Sequence, residues 1–390
     1  MKYAALLLLT ISVALNCPGQ TYTQMEDIMF SCFWDFYADN RMAPQACGRG
    51  YTGVASEGEL VSAVINPASM ANIAGWQAFA GYAYKSNLPW LRGFVGGMEL
   101  RTLHPCGMLS VGRSINDKIQ IGCFIYETKS YRLDEGTFEH VDEYGNVIGT
   151  FSSKEDVRKT SLYLPVSLKV GDQAQIGFGL EINRCRRNKN IGLYKGEASF
   201  WEITPRIGTI LKANQVLSFG LAYRYGMDYA FTEKGSYSGG TTVPISDTSW
   251  PSSYSNYNEM EWPLHHHEPS TIILGIEYRS PGTPISFMAD LGHVFIPDIL
   301  RSLKDRNDLH LGLEYRKGDV DYRVGYFTVR DYRVRSQYLN PSDNSQYFLT
   351  CGFSRYFGFW GLTLSLMDSH LLSPGEWKTT VVNGGVSYLF

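Results

Sequence analysis

The sequence predicts an all-β protein, a 14-stranded antiparallel transmembrane β-barrel with an N-terminal plug, or hatch, in its lumen. Three observations predict it. In the last stretch, Val381 to Phe390, residues Val382, Val386, Tyr388 and Phe390 fall on one face at period two, with Asn383, Gly385 and Ser387 on the other. Short turns and long polar connections take turns along the chain. The 390 residues include 39 Gly, 26 Tyr and 20 Phe, which suits many strands joined by tight turns and bounded by interfacial aromatic girdles. Period two alone fits a soluble sandwich strand as well as a barrel strand facing lipid. Alternating loop lengths separate the two: short periplasmic turns and long external loops produce the alternation, and a Greek key has no reason to.

Taken in order, the chain opens with Lys2, an apolar run from Tyr3 to Leu15 and small or turn-forming residues through Gly19. This reads as a signal peptide over residues 1–19, cut after Gly19 or after Asn16. Cys17 raises a lipoprotein reading, but Leu15-Asn16 before it is a poor match to the small residues such sites use. Residues 20–73 do not alternate. Met25, Ile28, Met29, Phe33, Phe36 and Tyr37 recur at helical spacing and predict one short amphipathic helix. Some fifty residues are too few for an independent core, so the segment is expected to fold into the lumen as a hatch. Within it, Pro67 fixes φ and pushes Asn66 to an extended conformation. Asn66 can then bond nearby backbone, and Ala68 permits close packing, so Asn66-Pro67-Ala68 is expected to form a rigid corner. Gly48-x-Gly50-x-x-Gly53 matches a dinucleotide fingerprint but lacks the strand, helix and βαβ unit that fingerprint needs. Cys32 and Cys47, both ahead of the first strand, are a candidate disulfide pair in an oxidising compartment.

The barrel is expected over 74–390. Strands are predicted near 74–85, 105–115, 118–133, 159–170, 173–187, 198–211, 215–230, 269–280, 284–296, 308–316, 319–332, 346–357, 359–369 and 379–390. Short turns fall at Asn116-Asp117, Gly171-Asp172, Lys212-Ala213-Asn214, Pro281-Gly282, Lys317-Gly318 and near Gly358. Long connections are expected around 134–158, 188–197, 231–268, 297–307, 333–345 and 371–377. Fourteen is an even number, so both barrel ends return to the periplasmic side. Phe94 to Leu103 is either a strand extension or a folded external loop.

Chemistry is sparse. Beyond the signal segment no stretch approaches the ~20 apolar residues of a helical span. The net charge of −3 leaves no electrostatic footprint for nucleic acid. No nucleophile motif such as Gly-x-Ser-x-Gly occurs, and Asp290 with His293 or His310 is too generic for a catalytic pair. The expectation is a non-enzyme without cofactor or metal. His265-His266-His267-Glu268 is the one local metal-like cluster, and its place at a loop boundary reads as a solvated rim. The lumenal face is expected to carry a largely self-neutralising set: Glu181, Glu202, Arg206, Arg224, Glu277, Arg279, Asp290, Glu314, Arg316, Asp321 and Arg323. Among these, Arg206, Arg224, Arg279 and Arg323 are candidate partners for a ligand carboxylate.

Gly48 to Ala55, followed by Asn66-Pro67-Ala68-Ser69-Met70-Ala71, resembles the N-terminal hatch of the FadL/TodX outer-membrane transporters of long-chain fatty acids and aromatic hydrocarbons. Ser114 to Gly122 looks like that family's turn after its second strand. Leu274 to Arg279, Ala289-Asp290-Leu291 and Leu311 to Arg316 look like its later strands. The usual glycine after Asn-Pro-Ala is Ser69 here. The resemblance implies passive uptake of hydrophobic small molecules across a bacterial outer membrane, with lateral escape through a break in one strand. It also implies insertion by the barrel assembly machinery on a C-terminal signal carried by Tyr388 and Phe390. Secretion-associated PorV-like barrels share the pattern, and a diffusion porin is the third reading.

Overall fold

The computed structural model describes residues 40–87, 90–91, 98–99, 105–141, 147–191, 194–237, 260–296, 304–332, 343, 345–374 and 378–390. The expected signal peptide, the short amphipathic helix and Cys32 lie outside them. Fourteen wall strands run in chain order as β1 (Trp76–Asn87), β2 (Pro105–Asn116), β3 (Ile119–Val141), β4 (Val147–Lys169), β5 (Ala174–Ile191) and β6 (Tyr194–Lys212). Two interrupted strands follow, β7 (Leu217–Arg224 and Asp228–Tyr237) and β8 (Met260–His267 and Ser270–Arg279). The wall continues with β9 (Ile285–Phe295), β10 (Arg306–Lys317), β11 (Val320–Val329), β12 (Gln346–Phe357), β13 (Trp360–Asp368) and β14 (Thr379–Leu389). Each pairs antiparallel with its neighbours, and β1 pairs with both β2 and β14, so the sheet closes. Closure leaves no edge strand, which is what lets a sheet cross hydrocarbon.

The side-chain pattern is inside-out relative to a soluble protein. Along β13, Leu362, Leu364 and Leu366 are exposed while Gly361, Thr363, Ser365 and Met367 are buried; Leu364 is 49 % exposed and Ser365 5 %. The same alternation sets exposed Leu309 and Leu311 of β10 against buried Asp308 and His310. An apolar face turned outward on every side is a face for lipid. At the end where the short turns lie, Trp76, Phe359, Trp360 and Phe390 are exposed, and the Tyr388 ring sits 4.4 Å from Trp360 and 4.5 Å from Phe390. Aromatic rings mark such a boundary because they are apolar in body and polar at the rim.

The strands agree with expectation near the short turns and exceed it at the other end. The connection expected over 134–158 is largely strand, since β3 and β4 pair as far as Val141 and Val147. The one expected over 188–197 is strand to Ile191 and again from Tyr194. Strand also covers Met260–His267 inside the expected 231–268 connection. Beyond the lipid band the wall no longer needs apolar residues on alternate positions, so the ladder continues where the hydropathy signal has stopped. In the 86–104 stretch, Trp90–Leu91 pairs with Met98–Glu99, a small external hairpin whose Glu99 meets Asp134 of β3.

Residues 40–73 lie within this closed wall. They comprise a short helix, α1 (Pro44–Gly48), and two 3-10 turns, Val61–Val64 and Pro67–Met70. Contacts reach the wall in all directions. Asn40 bonds Thr128 O of β3, Tyr163 of β4 donates to Ala63 O, and Asp290 of β9 accepts from the Gly53 and Val54 amides. Gln45 reaches Thr363 of β13, and Asn383 of β14 donates to Arg41 O.

Candidate functional site

Lumenal glycines set the seat of this inner segment. A Cβ on Gly177 would lie 2.1 Å from Ala68 N, one on Gly220 2.2 Å from Val54 O, and one on Gly325 2.1 Å from Gly50 N. The inner segment answers with its own glycines: a Cβ on Gly50, which also has φ +75°, would lie 2.2 Å from Leu311 O, and one on Gly48 2.7 Å from Gly352 Cα. The Gly48-x-Gly50-x-x-Gly53 spacing therefore serves backbone-to-wall approach rather than a pyrophosphate.

Asn66 is extended (φ −136°, ψ 115°). Its Oδ1 accepts from Ala68 N at 3.0 Å, and its Nδ2 donates to Val54 O at 2.6 Å and to Thr209 O of β6 at 3.3 Å. Pro67 opens the 3-10 turn that follows, and Ala68 is fully buried against Gly177. One side chain thus ties the corner to a second stretch of the inner segment and to the wall. Cys47 is buried in α1, its thiol 3.2 Å from Arg41 O.

A second fastening is ionic. Arg49, 1 % exposed, donates to both oxygens of Glu59 at 2.7 Å and to Glu314 of β10 at 3.3 Å. Burial works against the Glu59 carboxylate, yet the guanidinium gripping both its oxygens holds its pKa well below the usual carboxylate range. Partial burial likewise opposes Glu57, and hydrogen bonds from Lys212 and Gln175 hold it below its ordinary value. Sequence reasoning missed Arg49 and Glu59. The available signal was charge of both signs inside a segment expected to be buried, where charges must be paired to be tolerated.

On the side of the inner segment away from the short turns lies a cavity of about 230 Å³. Tyr51, Val54, Val64, Ile65 and Pro67 form its floor. Its wall carries Lys129, Lys159, Arg206, Arg224 and Arg306, with Arg41 contributed from the inner segment, against the carboxylates Glu181 and Asp308. Of the four arginines singled out in the sequence, the structure brings Arg206 and Arg224 together here, both paired with Glu181. Arg206 also donates to Val64 O, so it holds the floor to the wall, and Arg224 pairs with Glu268. Arg279 instead stands at the short-turn mouth beside Glu277, Glu57 and Lys212. Arg323 is sealed between Glu314 at 2.6 Å, Asp321 at 2.8 Å and Ser354 at 2.6 Å. Neither of these two reaches the cavity.

The histidine cluster is not a solvated rim. His266 and Glu268 are buried behind the cavity and meet Glu202 of β6, their donor atoms lying within 4.8 Å of one another. The strand continues through Met260–His267, and its alternation turns His266 inward. Positive charge among these groups comes from Lys159, whose Nζ lies 3.0 Å from Glu268 and contacts Glu202, and from Arg224, which pairs with Glu268. The side chains of His265 and His267 lie outside the described residues. Lys159 was readable only as the lumenal partner in parity of Ser161 and Tyr163 at the start of a strand.

No protein-family model and no curated protein matches this sequence. Solved structures do match in fold. The Pseudomonas aeruginosa FadL homologue aligns with TM-score 0.67 at 12% identity over 90% of this chain and 99% of its own. The Pseudomonas putida toluene transporter TodX aligns with TM-score 0.64 at 15% identity over 94% and 99%. The Ralstonia pickettii toluene transporter TbuX gives 0.63 at 14% identity over 89% and 97%. A closed wall of fourteen antiparallel strands around a glycine-seated inner segment thus has the fold of the FadL/TodX barrels over about nine-tenths of its length.

Proposed function

We propose that this chain is a bacterial outer-membrane passage for hydrophobic small molecules, with residues 20–73 as its hatch and hydrophobic carboxylates as its cargo. The single observation that carries the reading is the 230 Å³ cavity, floored by apolar hatch residues and walled by more cations than carboxylates. An apolar cavity of about 150 Å³ suffices for benzene. This one therefore takes a single ring, or the head and first carbons of an alkyl chain, and its cationic wall favours an anionic head over a neutral one. Arg206 links cavity to hatch, being bonded both to Glu181 and to Val64 O, so a carboxylate drawing on Arg206 would loosen the hatch. The named cargo of TodX and TbuX, toluene, supports hydrophobic compounds as the class.

The test is competition in detergent between a fluorescent long-chain fatty acid and two unlabelled ligands, the matching alcohol and toluene. The acid is expected to compete at least about tenfold better than the alcohol, a difference of about 1.4 kcal/mol. Equal competition by acid and alcohol would move the cargo to neutral hydrocarbons. Binding of none, together with open-porin conductance of the intact protein in planar bilayers, would overturn the transport reading.

A further inference from the structure

On the outward face, the apolar band ends on three adjacent strands at one level. Leu162, Ile182 and Ile203 of β4, β5 and β6 are paired across the sheet and form its last apolar row. The next outward row is Thr160, Arg184 and Trp201, and the one after it Arg158, Arg186 and Ser199. The climb from Ala174 at the turn to Arg184 is about 25 Å, at about 3.3 Å per residue and a tilt of about 40°. That is the height of the apolar band of an outer-membrane barrel, so the three arginines stand where hydrocarbon gives way to headgroups.

Arg184 lies 5.8 Å from the ring centroid of Trp201, which is 63 % exposed on the lipid side and marks the interfacial level. Arg158 pairs with Asp156 at 3.2 Å with its side chain half exposed, and Arg186 has no ionic partner among the described residues. Directly above the row, the projecting strands enclose a cleft of about 490 Å³ that adds Lys154, Lys189 and Lys195 to Arg158 and Arg186. The carboxylates lining it are Glu155, Asp156 and Glu197, of which Glu155 is already taken by Arg187. Positive charge is in excess, and at the row itself it is arginine, whose planar fork takes two phosphate oxygens at once.

We propose that this row and cleft bind the phosphorylated sugar headgroup of a glycolipid in the outer leaflet, with its acyl chains lying along Leu162, Ile182 and Ile203. The site is lateral to the lumen and separate from the cargo cavity; it rests on the outer-membrane reading only for the presence of such a lipid. Its ligand chemistry is a sugar phosphate carrying acyl chains, held by guanidinium pairs on the phosphate and by apolar contact below.

The experiment uses the purified full-length protein in neutral detergent and measures lipid bound by native mass spectrometry. The probes are a bisphosphorylated acylated glucosamine disaccharide, the same lipid with its phosphates removed, and soluble glucosamine phosphate. The bisphosphorylated lipid is expected to bind, to weaken with salt, and to lose at least about tenfold in affinity in the Arg158→Gln, Arg184→Gln, Arg186→Gln triple variant. The dephosphorylated lipid and soluble glucosamine phosphate are expected to bind weakly. Undiminished binding to the triple variant would overturn the proposal. So would equal wild-type affinity for the lipid with and without phosphate, a comparison that holds even if the triple variant fails to fold. Tight binding of soluble glucosamine phosphate would assign the site to free phosphates and overturn the lipid. Fatty-acid competition run on the same preparations keeps the two readings apart: it is expected to be unchanged in the triple variant, and its failure in wild type with lipid binding intact would sink the cargo proposal alone.

Discussion

At the residue scale, the inner segment, the proposed hatch, is seated by what is missing from the wall. A Cβ on Gly325 would lie 2.1 Å from Gly50 N and 2.3 Å from Arg49 C, with only backbone there to give way. Gly325→Val is therefore expected to unseat this part of the hatch at a cost of about 1–3 kcal/mol or more. The barrel should still fold, and the measurement is single-channel conductance in planar bilayers, expected to rise. Gly107→Ala is the control, since its Cβ meets nothing within 4 Å; if both variants conduct alike, the glycines do not set the seat. The ionic fastening makes a separate prediction. Because the seated Glu59 carboxyl lies below its ordinary value of about 4.3, its contribution is fully present above that value. It is lost as pH falls through the lowered one. Protease sensitivity of the hatch should be flat between about pH 8 and about pH 5 and rise only below about pH 4. A transition near neutrality would show that another group governs the seat.

At the element scale, the corner at Asn66-Pro67-Ala68 joins the hatch to itself and to β6 through the three hydrogen bonds of Asn66. Asn66→Leu with Pro67→Ala removes those bonds and frees φ, leaving Val54 O in want of a donor. Each lost buried hydrogen bond costs about 1–3 kcal/mol when its partner is stranded. The wall, whose stability resides in a closed backbone ladder, should be present at normal level. Uptake of a labelled long-chain fatty acid by cells carrying the variant should fall. Normal uptake with normal folded protein would make the corner architectural trim. Elements were legible in the sequence where lipid imposes alternation, as in β13 and β14. They were illegible before residue 159 and after residue 187, where Arg158 and Asn188 face water and headgroups instead of hydrocarbon and the backbone ladder alone carries the strand.

At the scale of the whole molecule, closure depends on β1 meeting β14 from Gln77 and Leu389 to Asn87 and Thr379. Phe390 N donates to Trp76 O beyond the last strand pair, and the ring itself is 70 % exposed. Its side chain therefore contributes little to the folded wall beyond the edge contact with Tyr388, so the assembly role expected of it can be tested apart from stability. Replacing Tyr388 and Phe390 by Ser should lower the heat-modifiable folded form in outer-membrane fractions while leaving the thermal stability of whatever protein does fold nearly unchanged. Unchanged folded yield would rule the signal out.

The sequence by itself determined the closed fourteen-strand wall, the lipid-facing residues and the presence of an inner segment, because lipid outside and a packed lumen inside impose a period of two that each strand must carry locally. Which lumenal charges line the cavity was decided only by tertiary structure. Arg206, Arg224, Arg279 and Arg323 share parity and residue type, yet two line the cavity, one stands at the opposite mouth and one is sealed among carboxylates. The difference lies in height along the barrel relative to the hatch and in which acidic side chain arrives from another strand. Glu268 reaching Lys159 across 109 residues, and Glu314 meeting Arg49 across 265, are pairings between distant segments that no local pattern encodes.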